Sequence, residues 1–166
     1  IAHGLVGSEM CIRDRYISRD LTLDVVNPSS DQNINSFNEK LYTYDGLIWG
    51  GSSLNIYNDT PEIKKQIEFM KNCQNKVKNI LGICWGMQVA VTAAGGQVKK
   101  ANTSHVGIAK EIEINEYGLK HPLYKDKEKK FNSPAFNYDE VVKIPENGIC
   151  LASVSYTHLT LPTRLL

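Results

Sequence analysis

Cys84 stands between a run of β-formers and a run of small helix-formers, in Ile80-Leu-Gly-Ile-Cys84-Trp-Gly-Met-Gln88. Gly82 lies two residues before it and Gly86 two after. A nucleophile on a strand-to-helix turn takes up a strained backbone, and neighbours without side chains let strand and helix close around it. Such a turn presents the sulfur at the carboxyl edge of a sheet, where open α/β folds bind ligands. It also sets the thiol at a helix N-terminus, whose partial positive charge favours the reactive thiolate. That is chemistry for attack on a carbonyl. The bland alternative is a small buried hydrophobe, the usual fate of a free cysteine, and G-x-C-x-G alone does not separate the two.

A second segment does: Asp45-Gly-Leu-Ile-Trp-Gly50-Gly51-Ser-Ser-Leu-Asn-Ile-Tyr57. Acyl transfer through a tetrahedral intermediate needs backbone N–H donors aimed at the developing oxyanion. Trp85, the residue after the nucleophile, offers one. A glycine loop at the end of a neighbouring strand offers the other, and Gly50-Gly51 is such a loop. Standing alone it would read as a strand-ending turn.

The elements that must position these groups are legible in outline. Leu21–Val26 reads as a strand stopped by Asn27-Pro28. Ser36 is placed to cap a helix through Tyr42, with Glu39 completing a capping box. Gly46–Trp49 is a short buried strand. Thr60 caps a helix with Pro61 at its first position and an apolar stripe at Ile63, Ile67 and Met70. Val77–Ile83 is a buried strand, and Gly86–Ala94 a helix stopped by Gly95-Gly96. Gln97–Lys99, Ile108–Ile114, Val141–Ile144 and Ile149–Leu151 read as further strands, with Asn132–Tyr138 a loop that either shapes the mouth of the site or is purely structural. Alternating strands and helices in the first two thirds imply a parallel sheet covered on both faces, and the later strands an antiparallel extension of it.

Together these residues resemble the class I glutamine amidotransferases, which carry G-x-C-x-G-x-Q at the nucleophile and a serine–glycine–glycine-type loop at the oxyanion hole. The chain is similar in particular to the glutaminase domain of GMP synthetase, through Asp45–Leu54, Pro61–Met70, Cys84–Val91, Ala93–Gly96, Val106–Ile112, His121–Tyr124 and Asp139–Val141. The resemblance implies a flavodoxin-like, doubly wound, mostly parallel sheet with helices on both faces. It implies Cys84 as nucleophile, Gly51 and Trp85 as oxyanion donors, and Gly50, Ser52 and Gln88 as contacts to glutamine. No metal or organic cofactor is implied.

The sequence departs from the family in one respect that matters for catalysis. The family triad is completed by an H-P-E motif after the last strands, and no H-P-E occurs here. His121-Pro122 is followed by Leu123 and lies upstream of the motif's place, so it reads as a loop histidine. His105 reads as a surface residue. Asn137 stands where relatives commonly carry a histidine two residues before the acid at Asp139.

Both ends also look foreign. Gly4–Arg15 and Ser153–Leu166 resemble translated sequencing adapter, so the expected division is a non-native tail at 1–15, an amidotransferase domain at 16–152 that is C-terminally truncated, and a second non-native tail at 153–166. His3 and His158 fall in these tails, which are expected to pack poorly.

Composition narrows the remaining classes. A net charge of +1 over 166 residues gives no field for nucleic acid or a membrane surface. The basic run Lys125–Lys130 is interrupted by Asp126 and Glu128, as in a solvated loop. No apolar stretch approaches the roughly 18 residues of a membrane span. The four cysteines form no C-x-x-C pair and no metal spacing, which suits free thiols in a reducing cytosol. The reading is a glutaminase with glutamine as substrate and an unidentified acceptor or synthetase partner for the ammonia, impaired by the missing histidine and glutamate. Two rivals stand beside it: a γ-glutamyl peptide or amide hydrolase on the same fold, and a non-enzymatic redox-sensing cysteine protein. A redox sensor has no use for Gln88 or an oxyanion loop.

Overall fold

A computed structural model describes residues 24–28, 34–154 and 157–162, with backbone alone at 103–106 and 157–162. The chain is α/β, built from a parallel pair of strands with helices and an antiparallel sheet. Helix α1 (Ile34–Lys40) runs into a 3₁₀ turn at Leu41–Thr43 and then strand β1 (Leu47–Trp49). Helix α2 (Pro61–Lys76), strand β2 (Ile80–Gly82) and helix α3 (Trp85–Ala93) follow. The long strand β3 (Gln97–Ile114) leads through a short helix α4 (Glu116–Leu119) to β4 (Lys130–Lys143), β5 (Cys150–Val154) and β6 (Thr157–Pro162).

Strands β1 and β2 pair in parallel with Leu47 opposite Ile80 and Trp49 opposite Gly82. Helix α2 starts as its sequence dictates: the Thr60 hydroxyl accepts from the Ile63 N–H, and Pro61 fills the first position. Its buried face carries Ile63, Phe69, Met70 and Cys73 against Trp49, Trp85, Val89 and Val91. Trp49 and Phe69 meet with ring centroids 6.0 Å apart and tilted by 53°, a favourable edge-to-face range. On the opposite face of the pair Ile48, Leu81 and Ile83 are exposed. Among the described residues the helices therefore cover one face of the parallel strands, where both were expected to be covered.

Gln66 is the buried polar residue of this core, and its side-chain oxygen accepts from the Trp85 indole N–H at 2.8 Å. Gln66→Leu leaves that buried donor unpaired, so it is expected to destabilise the fold by about 1–3 kcal/mol. Urea unfolding of the two proteins measures this; equal midpoints would mean that the bond contributes nothing.

The second sheet has the order β4-β3-β5-β6 and is antiparallel throughout. Three expectations change here. The later strands form a separate sheet with its own core of Ala109, Ile112, Ile114, Tyr124, Leu151 and Val154, not an extension of the parallel one. Gln97–Lys99 and Ile108–Ile114 are one strand, interrupted by register shifts between Lys100 and His105 and between Ala109 and Ile112. At the second shift Glu111 has φ 54°, and the Asn132 side chain accepts its N–H at 2.9 Å, as at a β-bulge. The expected loop at Asn132–Tyr138 is strand, within β4.

Other differences are local. Ser36 lies inside α1 and does not cap it. Asp24–Asn27 has no strand pairing, and Leu21–Leu23 lies outside the described residues. The expected boundary at Ser153 falls inside β5, where Val154 is buried, and Thr157–Pro162 pairs with β5 as an edge strand. The alternating Thr-His-Leu-Thr-Leu has the composition of a strand. Residues 1–15 lie outside the described residues.

Candidate active site

The elbow forms where the glycines place it. Cys84 is the N-cap of α3 with φ 55° and ψ −108°, a conformation that costs free energy in a residue bearing a side chain and is characteristic of functional sites. It persists because the turn is held from several sides. Ile83 N–H donates to the Trp49 carbonyl at 2.9 Å, and Gly86 N–H donates to the carbonyls of Gly50 (3.0 Å) and Ile83 (3.1 Å). Close packing demands the flanking glycines: a Cβ on Gly82 would lie 2.8 Å from the Gly86 carbonyl carbon. A Cβ on Gly86 would lie 2.2 Å from the Trp49 oxygen.

These contacts bring the glycine loop after β1 to the cysteine. A Cβ on Gly51 would stand 3.9 Å from the Cys84 Sγ, so the loop backbone runs directly beside the sulfur. Cys84 itself is exposed. Among the described residues no hydrogen bond engages the N–H of Gly51 or of Trp85. The sulfur is thus accessible, with the Gly51 loop backbone beside it and neither of these N–H groups engaged.

Cys84 opens on a cleft of about 150 Å³ bordered by the loop Ser52–Asn55, by Met87 and Gln88 of α3, and by Phe136–Asp139 and Val141 of β4. Gln88 Nε2 reaches Asp139 Oδ2 at 3.4 Å. Gln88 Oε1 and Asp139 Oδ1 are buried and have no hydrogen-bond partner among the described residues. Two adjacent unpaired acceptors, one a carboxylate, make a place for a cationic donor. Tyr57 stands beside Asp139; loss of solvation first, then the carboxylate's charge, hold its phenol above the ordinary tyrosine value.

Of the residues expected at the site, Cys84, Ser52 and Gln88 border the cleft, the Gly51 backbone lies beside the sulfur, the Gly50 carbonyl accepts from Gly86 N–H, and Trp85 opens α3 with its indole N–H on Gln66. The sequence marked Asp139 only as a landmark and did not reveal its place in the cleft. Its signal was the apolar Val141-Val142 after it, which marks a strand end but not what faces Gln88. Among the described residues no histidine borders the cleft. His121 caps the 3₁₀ turn Pro122–Tyr124, its Nδ1 accepting from Leu123 N–H at 3.2 Å. The side chain of His105 lies outside the described residues. No cluster of histidine, cysteine or acidic side chains with metal-binding geometry, and no helix long and apolar enough to cross a membrane, occurs among the described residues.

A family model, glutamine amidotransferase class-I, matches residues 7–157. The chain belongs to that family. It is 34% identical over 116 residues to a γ-glutamyl-L-1-hydroxyisopropylamide hydrolase of Pseudomonas sp, covering 68% of this chain and 39% of the relative. It is 37% identical over 90 residues to one subunit of the glutamine-hydrolyzing GMP synthase of Methanocaldococcus jannaschii, covering 52% of this chain and 46% of the relative. The chain thus spans less than half the length of these relatives. A crystal structure of a glutamine amidotransferase from Thermotoga maritima superposes with a TM-score of 0.68 at 15% identity, over 89% of this chain and 60% of the other. The flavodoxin-like fold of the family is therefore present.

Proposed function

We propose that this amidotransferase domain hydrolyses the γ-amide of glutamine through a thioester on Cys84. The observation that carries the reading is the Gly51 backbone against the sulfur of a positive-φ cysteine. In the first step Sγ attacks the amide carbon, and the oxyanion accepts from the N–H groups of Gly51 and Trp85. The C–N bond then breaks, and ammonia leaves with the proton given up by the thiol. Water next adds to the thioester, releasing glutamate and restoring the thiol. Gly50 holds the turn, Ser52 borders the amide end, and Gln88 and Asp139 take the α-ammonium of the substrate.

The name of the Methanocaldococcus relative, one subunit of a synthase, supports a separate synthetase chain in the role of ammonia receiver. Free thiols at Cys73, Cys84 and Cys150 fit a reducing compartment. The family's histidine base has no counterpart bordering the cleft among the described residues, so turnover by this chain is slow.

The α-ammonium assignment is testable without turnover. Asp139→Asn keeps the shape of the side chain and removes its charge. It is expected to raise the glutamine concentration that half-protects Cys84 from alkylation about ten- to a hundredfold. Unchanged protection would remove Asp139 from substrate binding.

A second reading, hydrolysis of γ-glutamyl amides or peptides with water as sole acceptor, is favoured by the name of the Pseudomonas relative and by the exposed cleft rim. It uses the same acylation at Cys84. Product analysis with glutamine against a γ-glutamyl amine separates the two. A redox-sensing cysteine needs neither Gly51 beside the sulfur nor the unpaired acceptors of Gln88 and Asp139, and nothing in the cleft favours it.

A further inference from the structure

We propose that Tyr57 is a positioning residue of the substrate site: its phenol holds the Asp139 carboxylate in the orientation that receives the α-ammonium of glutamine. The inference rests on the role of Asp139 in binding that ammonium, and it makes Tyr57 a determinant of the preference for substrates with a free α-amino group.

Asp139 is under-restrained for that role. Its described hydrogen bond is a long one, 3.4 Å from Gln88 Nε2 to Oδ2, while Oδ1 is buried and unpaired. Lys100, its register partner on β3, is exposed, and no ion pair joins the two among the described residues. A carboxylate that must meet a cation in one geometry needs a further donor to fix it.

Tyr57 is placed to be that donor. It lies on the loop after β1, which carries Gly51 and borders the cleft at Ser52–Asn55. The loop is held on either side of it. Ile56 is buried in the core of the parallel strands, and Asn58 N–H donates to the Asn55 carbonyl at 3.0 Å, closing a turn around Tyr57. The phenol stands beside Asp139; loss of solvation first, then the carboxylate's charge and a hydrogen bond with it, hold the phenol above its ordinary value. It is therefore protonated near neutrality, a donor and not a base. The pair joins the loop that carries Gly51 to β4, so the two ends of a bound glutamine are set against each other: the γ-carbonyl at Gly51 and the α-ammonium at Asp139.

The test uses the 166-residue chain and a readout that needs no turnover: the ligand concentration that half-protects Cys84 from alkylation, scored by peptide mass spectrometry. L-glutamine is compared with 4-carbamoylbutanoate, which lacks only the α-amino group. In Tyr57→Phe the glutamine concentration is expected to rise about tenfold, the yield of one hydrogen bond to a charged group, while that for 4-carbamoylbutanoate stays put. In a chain that already carries Asp139→Asn, adding Tyr57→Phe is expected to change neither, because the two residues act as one unit. No shift in Tyr57→Phe overturns the proposal. So does an equal shift for both ligands, the result of a merely structural role for the ring, or a glutamine shift that persists with Asp139→Asn. Equal protection by the two ligands in the parent chain is a different result: it removes the α-ammonium assignment of Asp139, and the role of Tyr57 falls with it.

Discussion

Glutamine turnover by the 166-residue chain stays near background, on the order of a million-fold below that of a complete nucleophile–base unit. An exposed thiol stands on a strained elbow, with the Gly51 loop backbone beside it. A group that takes the thiol proton and returns it to the leaving amine is what the cleft lacks among its described residues. Members of such a unit act together, so losing one costs nearly as much as losing all. A coupled assay for glutamate or ammonia reads this directly. Turnover within a hundredfold of an ordinary enzyme rate, roughly 10 per second, would point to an unassigned base. His105 would be the first to test, since Nδ1 of His121 is engaged by Leu123 N–H.

Gly86→Ala is expected to unfold or grossly distort the domain, at a cost of about 3 kcal/mol or more. The added methyl would sit 2.2 Å from the Trp49 oxygen and 2.8 Å from its carbonyl carbon. Both atoms belong to backbone at the end of β1, pinned by the Ile83 N–H bond to the same oxygen, so neither can yield cheaply. Relief requires α3 to lift from the strands, which uncovers Trp85, Val89 and Val91. Gly50→Ala is the control for stability: a Cβ there meets nothing within 4 Å, and its effect is expected within about 0.5 kcal/mol. Thermal unfolding of the two variants measures the contrast. Equal midpoints would mean that the elbow is not packed as described.

The parts of the site legible in the sequence are those written in short segments. The elbow needs two glycines around one cysteine, the oxyanion loop two glycines after a strand, and α2 a threonine and a proline at its start. Each signal is local, and each survives into the structure. Before Val141, strand β4 was not legible because its inward positions include Ser133, Ala135, Asn137 and Asp139, while Pro134, Phe136 and Tyr138 point outward. Small and polar residues on the covered side and large apolar ones on the open side invert the pattern that marks a half-buried strand. Likewise, the meeting of Gln88 with Asp139 spans 51 residues of chain, and no local rule pairs them. The separate antiparallel sheet was hidden for the related reason that strand pairing is settled by tertiary contact.

The central claim is that Cys84 is a nucleophile built to receive the γ-carbonyl of a glutamyl substrate. The direct measurement treats the chain at about pH 8 with a glutamine-mimicking electrophile, with and without L-glutamine, and locates the adduct by peptide mass spectrometry. Cys73 serves as an internal reference: burial pushes its thiol up to about 12, leaving roughly one thiolate in 10⁴ at that pH. The account predicts an adduct at Cys84 that forms well ahead of any at Cys73 or Cys150 and is suppressed by glutamine. An adduct that glutamine does not suppress, or no preference for Cys84 over Cys150, would contradict it.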